Sequence, residues 1–421
     1  MQDSALKTGL PAYQATERFY WRQIEDVLIV IDLPVSEFTI LNRTAGIIWL
    51  NLLDECWTKA GLINLVSDTS ASDAHTPEND VTTLLENWAV LGWLETESAG
   101  NLCIPTTTMA TPPPPYKTVS IAKLNSMVKR TSLEWSRTMD FIGQPIDVNF
   151  YCDPEHLNSD ISIRANTFLN GLPIQTSTPD DCDRIHCYVT QNGVFLRLGD
   201  LCVEAKEVSD GLSRLTLWCF YQAYGRKNFL GTFHAAALGR DEGAILMPGL
   251  SGAGKSTLTA YLASNGWLYG GDDIIGLSKP QDTENDYLVL PFCSAVSVKS
   301  GSVDILSEFY PSLKTLPLIQ YDTKSARFPS VPVVNQMTQD PTHRKIKAIV
   351  FPAFDKKSKT DLVPLTTEDA LLALVGVGVR TGETMDAALL DNLFHFLETT
   401  PKYRLEFSSM DQAHKRLESI L

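Results

Sequence analysis

The residues best suited to chemistry lie in one run, Gly249-Leu250-Ser251-Gly252-Ala253-Gly254-Lys255-Ser256. The spacing G-x-x-x-x-G-K-S is that of a P-loop. Its glycines let successive backbone N–H groups turn toward one point, and the helix that follows adds partial positive charge there. A lysine at position 255 would reach the β- and γ-phosphates, and the Ser256 hydroxyl would bind Mg²⁺, with Thr257 a neighbour of lesser weight. The implied chemistry is the binding and use of a nucleoside triphosphate, with ATP and Mg²⁺ as the expected cofactors. Roughly 15–20 residues beyond the lysine, one helix and one strand away, stands Gly270-Gly271-Asp272-Asp273. Two carboxylates at a strand's end could divide two tasks: one holds Mg²⁺, the other accepts the proton of an attacking hydroxyl. Adjacent side chains on a strand point to opposite faces, so the two would not share one task. The same four residues are also good turn chemistry.

Several elements must position these groups. Ala244-Ile245-Leu246-Met247 is a short apolar run suited to a buried strand, and it feeds directly into the loop. Leu258, Ala260, Leu262 and Ala263 predict a helix that stops near Asn265-Gly266. The clearest boundary is the proline-rich stretch 105–116, an extended linker whose four successive prolines fit neither helix nor sheet. Before it, 1–104 read as strands at 18–24, 26–32 and 37–41, a helix capped by Asn42, and a helix over 79–92. That is a small winged-helix-like β3α3 domain. Between 117 and 225, strand-like patches (148–151, 186–189, 194–198) alternate with a helix near 214–224, in an intermediate α+β region with no assignable chemistry. Residues 226–421 carry the loop and close on a helix from Met410, so the chain as a whole is expected to be α/β.

Composition narrows the class. The 421 residues are 44% hydrophobic and 20% charged, as in ordinary globular proteins. A net charge of −15 argues against a nucleic-acid partner. Through Ala110 there are 15 acidic and 5 basic side chains, a net of −10. No apolar run approaches the roughly 20 residues needed to cross a bilayer, and residues 1–10 lack the pattern of a secretory signal. A cytoplasmic enzyme with no membrane partner is the expectation, and homo-oligomerisation is left open. The eight cysteines are scattered. Cys182 and Cys187 lie near His186, but no second pair at zinc spacing accompanies them, so reduced structural thiols are expected.

Two family resemblances sharpen the reading. Leu41-Asn42-Arg43-Thr44-Ala45-Gly46-Ile47-Ile48-Trp49 and the ending at Leu85–Glu95 resemble the signatures of PqqD-like domains. That resemblance implies capture of a precursor peptide as an added strand, beside the third strand (Phe38, Ile40) and against the last helix (Leu84, Trp88). The loop, its helix and the ending "NGWLYGGDDI" resemble the catalytic domain of HPr kinase/phosphorylase. In that family a histidine precedes the loop by about 15 residues, where His234 stands here. Lys299 stands where HPr kinase proper has an arginine.

This second resemblance implies that Asp272 activates a serine hydroxyl, Asp273 helps hold Mg²⁺ and the phosphates, and His234 lies near the transferring phosphate. Lys299 would stabilise charge as a point ammonium. The HPr-kinase signature that supports phosphorolysis is not found, so the kinase direction is the one implied and the reverse reaction is left open. Together the parts suggest a kinase acting on a precursor peptide or small protein, in the manner of lasso-peptide tailoring kinases. The alternatives are a small-molecule P-loop kinase with a structural N-terminal domain, and a nucleotide-gated peptide chaperone with little turnover. Two further features have bland readings: Trp49, Trp57, Trp88 and Trp93 as core, and Arg344-Lys345-Ile346-Lys347 as a solvated strand end or extra charge near the phosphates.

Overall fold

The computed structural model describes residues 14–16, 18–24, 27–33, 37–69, 77–96, 101–105, 117–141, 144–156, 171–172, 183–190, 193–205, 208–225, 229–278, 286–321, 324–339, 344–377, 379–380 and 387–421. The chain forms two compact units, Met1–Pro112 with Glu383–Asp391, and Pro113–Gly382 with Asn392–Leu421. The proline run 106–116 and Cys182 lie outside the described residues.

In the first unit, β1 (Gln14–Ala15), β2 (Phe19–Ile24), β3 (Val27–Asp32) and β4 (Glu37–Leu41) form an antiparallel sheet in sequence order. Helices α1 (Arg43–Asp54), α2 (Lys59–Thr69) and α3 (Pro77–Val90) follow, then a hairpin of β5 (Glu95–Thr96) and β6 (Leu102–Cys103). The expected β3α3 count is therefore short by one edge strand and the hairpin. Asn42 caps α1 as expected: its side-chain oxygen accepts from the Ala45 N–H at 2.9 Å, satisfying a donor that has no intrahelical partner. Alternation along the strands places Phe19, Trp21, Leu28 and Val30 in one core with Trp49, Trp88 and Trp93. Phe19 meets Trp49 and Trp93 edge-on, at 5.8 and 5.4 Å between centroids. Three of the four tryptophans are thus core, and Trp57 is partly buried against it.

The second unit opens with the short helix α4 (Ile121–Met127) and a six-stranded sheet in the order β7 (Lys117–Thr118), β12 (Leu201–Ala205), β11 (Gly193–Leu198), β10 (Asp183–Thr190), β9 (Gln144–Cys152), β8 (Ser132–Phe141). One face buries Val148, Phe150, Ile185, Cys187 and Leu196 against Trp218, Cys219 and Phe220 of α5 (Val208–Tyr224). Leu290 and Phe292 close that core, so residues from the expected segments 117–225 and 226–421 pack together. His186 neighbours Cys187 on β10 and therefore faces the other side, where its Nδ1 lies 3.3 Å from the Tyr151 hydroxyl. Among the described residues no group of three or more His, Cys, Asp or Glu could hold a metal. Nor is any described helix long and apolar enough to cross a membrane.

A second six-stranded sheet carries the loop, in the order β16 (Leu268–Gly271), β14 (Ala235–Arg240), β15 (Gly243–Pro248), β22 (Lys345–Phe354), β25 (Lys402–Phe407), β23 (Asp361–Pro364). The run expected to be a buried strand is β15; every residue of it is buried, between β14 and the parallel β22. Against this sheet pack Leu258, Leu262 and Ala263 of α6 (Lys255–Ser264), with Ala413 and Leu417 of the closing helix Met410–Glu418. Two smaller sheets complete the unit: β18 (Val289–Leu290), β17 (Ile275–Ser278), β13 (Phe229–Phe233), β24 (Val379–Arg380); and β19 (Val298–Lys299), β21 (Lys324–Arg327), β20 (Ile319–Tyr321).

The seven described cysteines are all free thiols. Burial pushes Cys187, Cys219 and Cys293 up to about 12, which leaves almost no thiolate at neutral pH. In the native protein at neutral pH, iodoacetamide is expected to modify the half-buried Cys56 and Cys103 and to spare those three until denaturant is added. Peptide mapping after a timed quench reads the result; prompt alkylation of Cys293 would contradict the packing under β16.

Candidate phosphate-binding site

Strand order brings the expected residues to one edge of the loop-bearing sheet. Strand β15 runs toward Pro248 and delivers Gly249 at its carboxyl end. Antiparallel β14 begins beside it, with Ala235 opposite Pro248, so His234 falls at the same edge. Strand β16 ends there too, Gly271 opposite Ala237, and Asp272 follows. Residues 38 positions apart in sequence (His234 and Asp272) are thereby neighbours of the loop through two hydrogen-bonded ladders.

The loop backbone shows why glycine is needed. Gly252 and Gly254 have φ of +97° and +87°, in the left-handed region that side chains disfavour. Gly254 is also the N-cap of α6, and a Cβ there would lie 2.9 Å from Phe354 Cβ and 2.9 Å from Phe407 Cζ. The Phe354 N–H donates to the Ala253 carbonyl at 3.1 Å, fastening the loop to β22. The first-turn N–H groups of α6 have no preceding carbonyl to bond and face outward along the helix axis, as an anion site requires.

Lys255 does not extend into solvent. It is 7% exposed, and its Nζ donates to Asp272 Oδ1 at 3.0 Å and to the Asp272 carbonyl. Asp272 is 2% exposed, so the P-loop lysine and the first aspartate form a buried ion pair. Asp273, pointing away from it, is half-exposed, with Oδ1 3.7 Å from Nε2 of the half-exposed His234. Lys299, on β19, donates to the Ser251 hydroxyl at 2.6 Å. Ser256 is partly buried at the helix start, and the Thr257 hydroxyl pairs with Ser302 Oγ at 2.6 Å. Behind the aspartates, burial and then the nearby Asp272 charge push the Tyr269 phenol well above its ordinary value. It stays protonated and donates to the Ser294 carbonyl at 2.7 Å, steadying β16.

No motif in the sequence marks Ser302, Phe354 or Phe407 for the site. They come from distant segments, and their one local trace is the demand for glycine at 254. The basic run at 344–347 is resolved by position. It starts β22, at the end of a ten-residue strand opposite the loop, about 30 Å away. Its members belong to a strand end, with Arg344 buried and Lys345 paired to Asp286.

In the first unit, Phe38 and Ile40 stand opposite Ile31 and Ile29 across the β3–β4 ladder, on the face away from the helices. Leu84 and Trp88 lie in the helical layer; Leu84 is half-buried and Trp88 is 2% exposed, within the core. The four residues are therefore not gathered on one surface. Among the described residues, β4 pairs only with β3, leaving its outer edge as a ladder to be extended.

No known family's sequence profile matches the chain, and no curated protein does. Among solved structures it is similar to the HPr(Ser) kinase/phosphatase from Coxiella burnetii, at 14% identity, over 45% of this chain and 94% of that one, with a TM-score of 0.23. A likeness at that level carries no argument, and the functional reading rests on the residues above.

The buried Lys255–Asp272 pair makes a quantitative expectation. Removing one partner strands a charge in the interior, at a cost of about 3–5 kcal/mol, whereas removing both is far milder. In chemical denaturation, Lys255→Met and Asp272→Asn should each destabilise the second unit strongly, and the double variant should lose much less than their sum. Strict additivity would show that the pair is not formed in solution.

Proposed function

We propose that the protein is an ATP- and Mg²⁺-dependent kinase that phosphorylates a hydroxyl, of the serine type, on a ribosomally made precursor peptide or small protein captured by the N-terminal unit. The observation that carries this is the convergence of a P-loop, two aspartates, His234 and Lys299 at one sheet edge. A site that only binds nucleotide has no need of paired carboxylates and a second lysine beside its loop. The cradle suits phosphate: glycines 252 and 254 supply the left-handed backbone that turns the loop, and α6 starts at Gly254 with its N-terminal N–H groups unpaired within the helix.

Mg²⁺ would be held by the Ser256 hydroxyl and Asp273, with the remaining positions taken by phosphate oxygens and water. Mg²⁺ beside phosphates commonly uses one or two carboxylates, so such a small donor set suffices. When bound, the ion supplies charge neutralisation at the phosphates. Lys255 already points into the site, and incoming phosphates would share it with Asp272. Asp272 keeps its second oxygen to accept the acceptor's proton. Lys299 is held on Ser251 at the loop tip, within the loop's reach for a developing negative charge. Capture by strand addition at β4 would raise the local concentration of the hydroxyl.

A second assignment of the aspartates is favoured by their exposure. Asp273, half open and beside His234, meets an incoming hydroxyl more readily than Asp272, which is 2% exposed. The two assignments differ in Mg²⁺ dependence: the variant that raises the Mg²⁺ concentration for half-maximal rate identifies the metal-holding residue.

The test is phosphotransfer. With γ-labelled ATP, Mg²⁺ and serine-containing peptides translated from the short open reading frames flanking the gene, label should appear on a serine of one peptide. Lys255→Met should slow transfer by about 100-fold or more. ATP binding without transfer to any hydroxyl, peptide or small molecule, would contradict a kinase.

A further inference from the structure

The loop and its neighbours account for the phosphates of a bound nucleotide but not for its nucleoside half. Strand order supplies a place for it. Asp272, His234 and Asp273 stand on the β16–β14 side of the loop, which is where the acceptor must approach. The other side is formed by β22 and β25, both parallel to β15. In open α/β sheets ligands lie outside the carboxyl ends of the parallel strands. Here those ends are Phe354 and Phe407, register partners, and both touch the position where Gly254 lacks a Cβ.

We infer that the turn Asp355–Lys359, which follows β22, is the nucleoside end of the site, with Lys356 and Lys357 as its contacts to the sugar and base. The inference rests on the nucleotide-dependent reading and extends it to residues that no motif marks. Three observations carry it. The first is adjacency: the residue before the turn, Phe354, donates its N–H to Ala253 inside the loop at 3.1 Å, so turn and loop are joined backbone to backbone. The second is construction. The Asp355 N–H donates to the Phe407 carbonyl at 3.0 Å, and the Asp355 carboxylate accepts from the Lys357 N–H at 3.0 Å and the Ser358 hydroxyl at 3.2 Å. Ser408, just past β25, donates its hydroxyl to the Ser358 carbonyl at 2.8 Å. A surface turn held at four points keeps a fixed place beside the loop.

The third observation is charge. Lys356 and Lys357 are exposed, and among the described residues no carboxylate pairs with either, because Asp355 is spent on the turn itself. A lysine combines an ammonium donor with a methylene stem that can cover a sugar or base. In a chain of net charge −15, the held turn places two ammonium groups next to the loop.

The test compares two ligands that share phosphates and differ in the nucleoside. Mg–ADP and Mg–tripolyphosphate are titrated calorimetrically into the full chain, into Lys356→Ser/Lys357→Ser, and into Lys123→Ser/Lys129→Ser, which removes two exposed charges elsewhere, as a control for overall charge. The double variant should bind ADP about tenfold more weakly and tripolyphosphate within about twofold of the unaltered protein, with the control unchanged. Equal ADP affinity in the double variant would overturn the inference. So would an equal loss for both ligands, which would reduce the lysines to a diffuse charge effect. Failure of the unaltered chain to bind either ligand would instead overturn the nucleotide reading, so the two failures are distinguishable.

Discussion

The buried pair of Lys255 and Asp272 is the constraint on which the rest of the site depends. Two charges almost wholly removed from water are tolerated only if each is held on the other. That requirement fixes the start of α6 against the end of β16, although the two are separated by a helix and a strand. Such a pair contributes little net stability compared with well-packed apolar residues. Its retention therefore asks for another reason, and a phosphate loop provides one. The ammonium is pre-oriented and already desolvated, so less reorganisation is needed when negative charge arrives.

Everything else at the edge follows from strand order. Strand β14 begins, and β16 ends, on one side of the loop, delivering His234 and the aspartates there; β22 and β25 end on the other, delivering Phe354, the lysine turn and Phe407. Gly254 is the pivot between the two sides. Its left-handed backbone starts α6, and its missing Cβ lets the two rings close against the loop. A chemical division results, with His234 and the two aspartates on one flank and the turn bearing Lys356 and Lys357 on the other. The small sheet bearing Lys299 adds a contact at the loop tip, and the next turn, through Ser302, adds one at the first turn of α6.

The local signals were read well where a backbone need acts over a few residues. Asn42 as a cap, the apolar run of β15 and the α6 positions Leu258 and Leu262 each answer to such a need. The glycine-lysine spacing of the loop also survives translation into space. Pairing across distance was not legible. The two-residue strand β1 and the hairpin of β5 and β6 are too short to carry a period, so the first unit was under-counted. The inward turn of Lys255 toward Asp272 and the separation of Phe38 and Ile40 from Trp88 depend on which face of a strand meets which layer. A single sequence fixes that only after register is known. Residues 344–347 illustrate the same point: their charge was visible, but the strand's direction, which carries them away from the loop, was not.

The central claim is that the edge formed by Gly249–Thr257, Asp272 and Asp273 seats nucleotide phosphates. A crystal structure of the full chain with Mg²⁺ and a non-hydrolysable ATP analogue tests it most directly. The account predicts terminal phosphates within the loop, touched by Lys255 and the α6 N–H groups, with the metal between Ser256 and one aspartate. Phosphates bound elsewhere, with Lys255 still engaged only by Asp272, would contradict it.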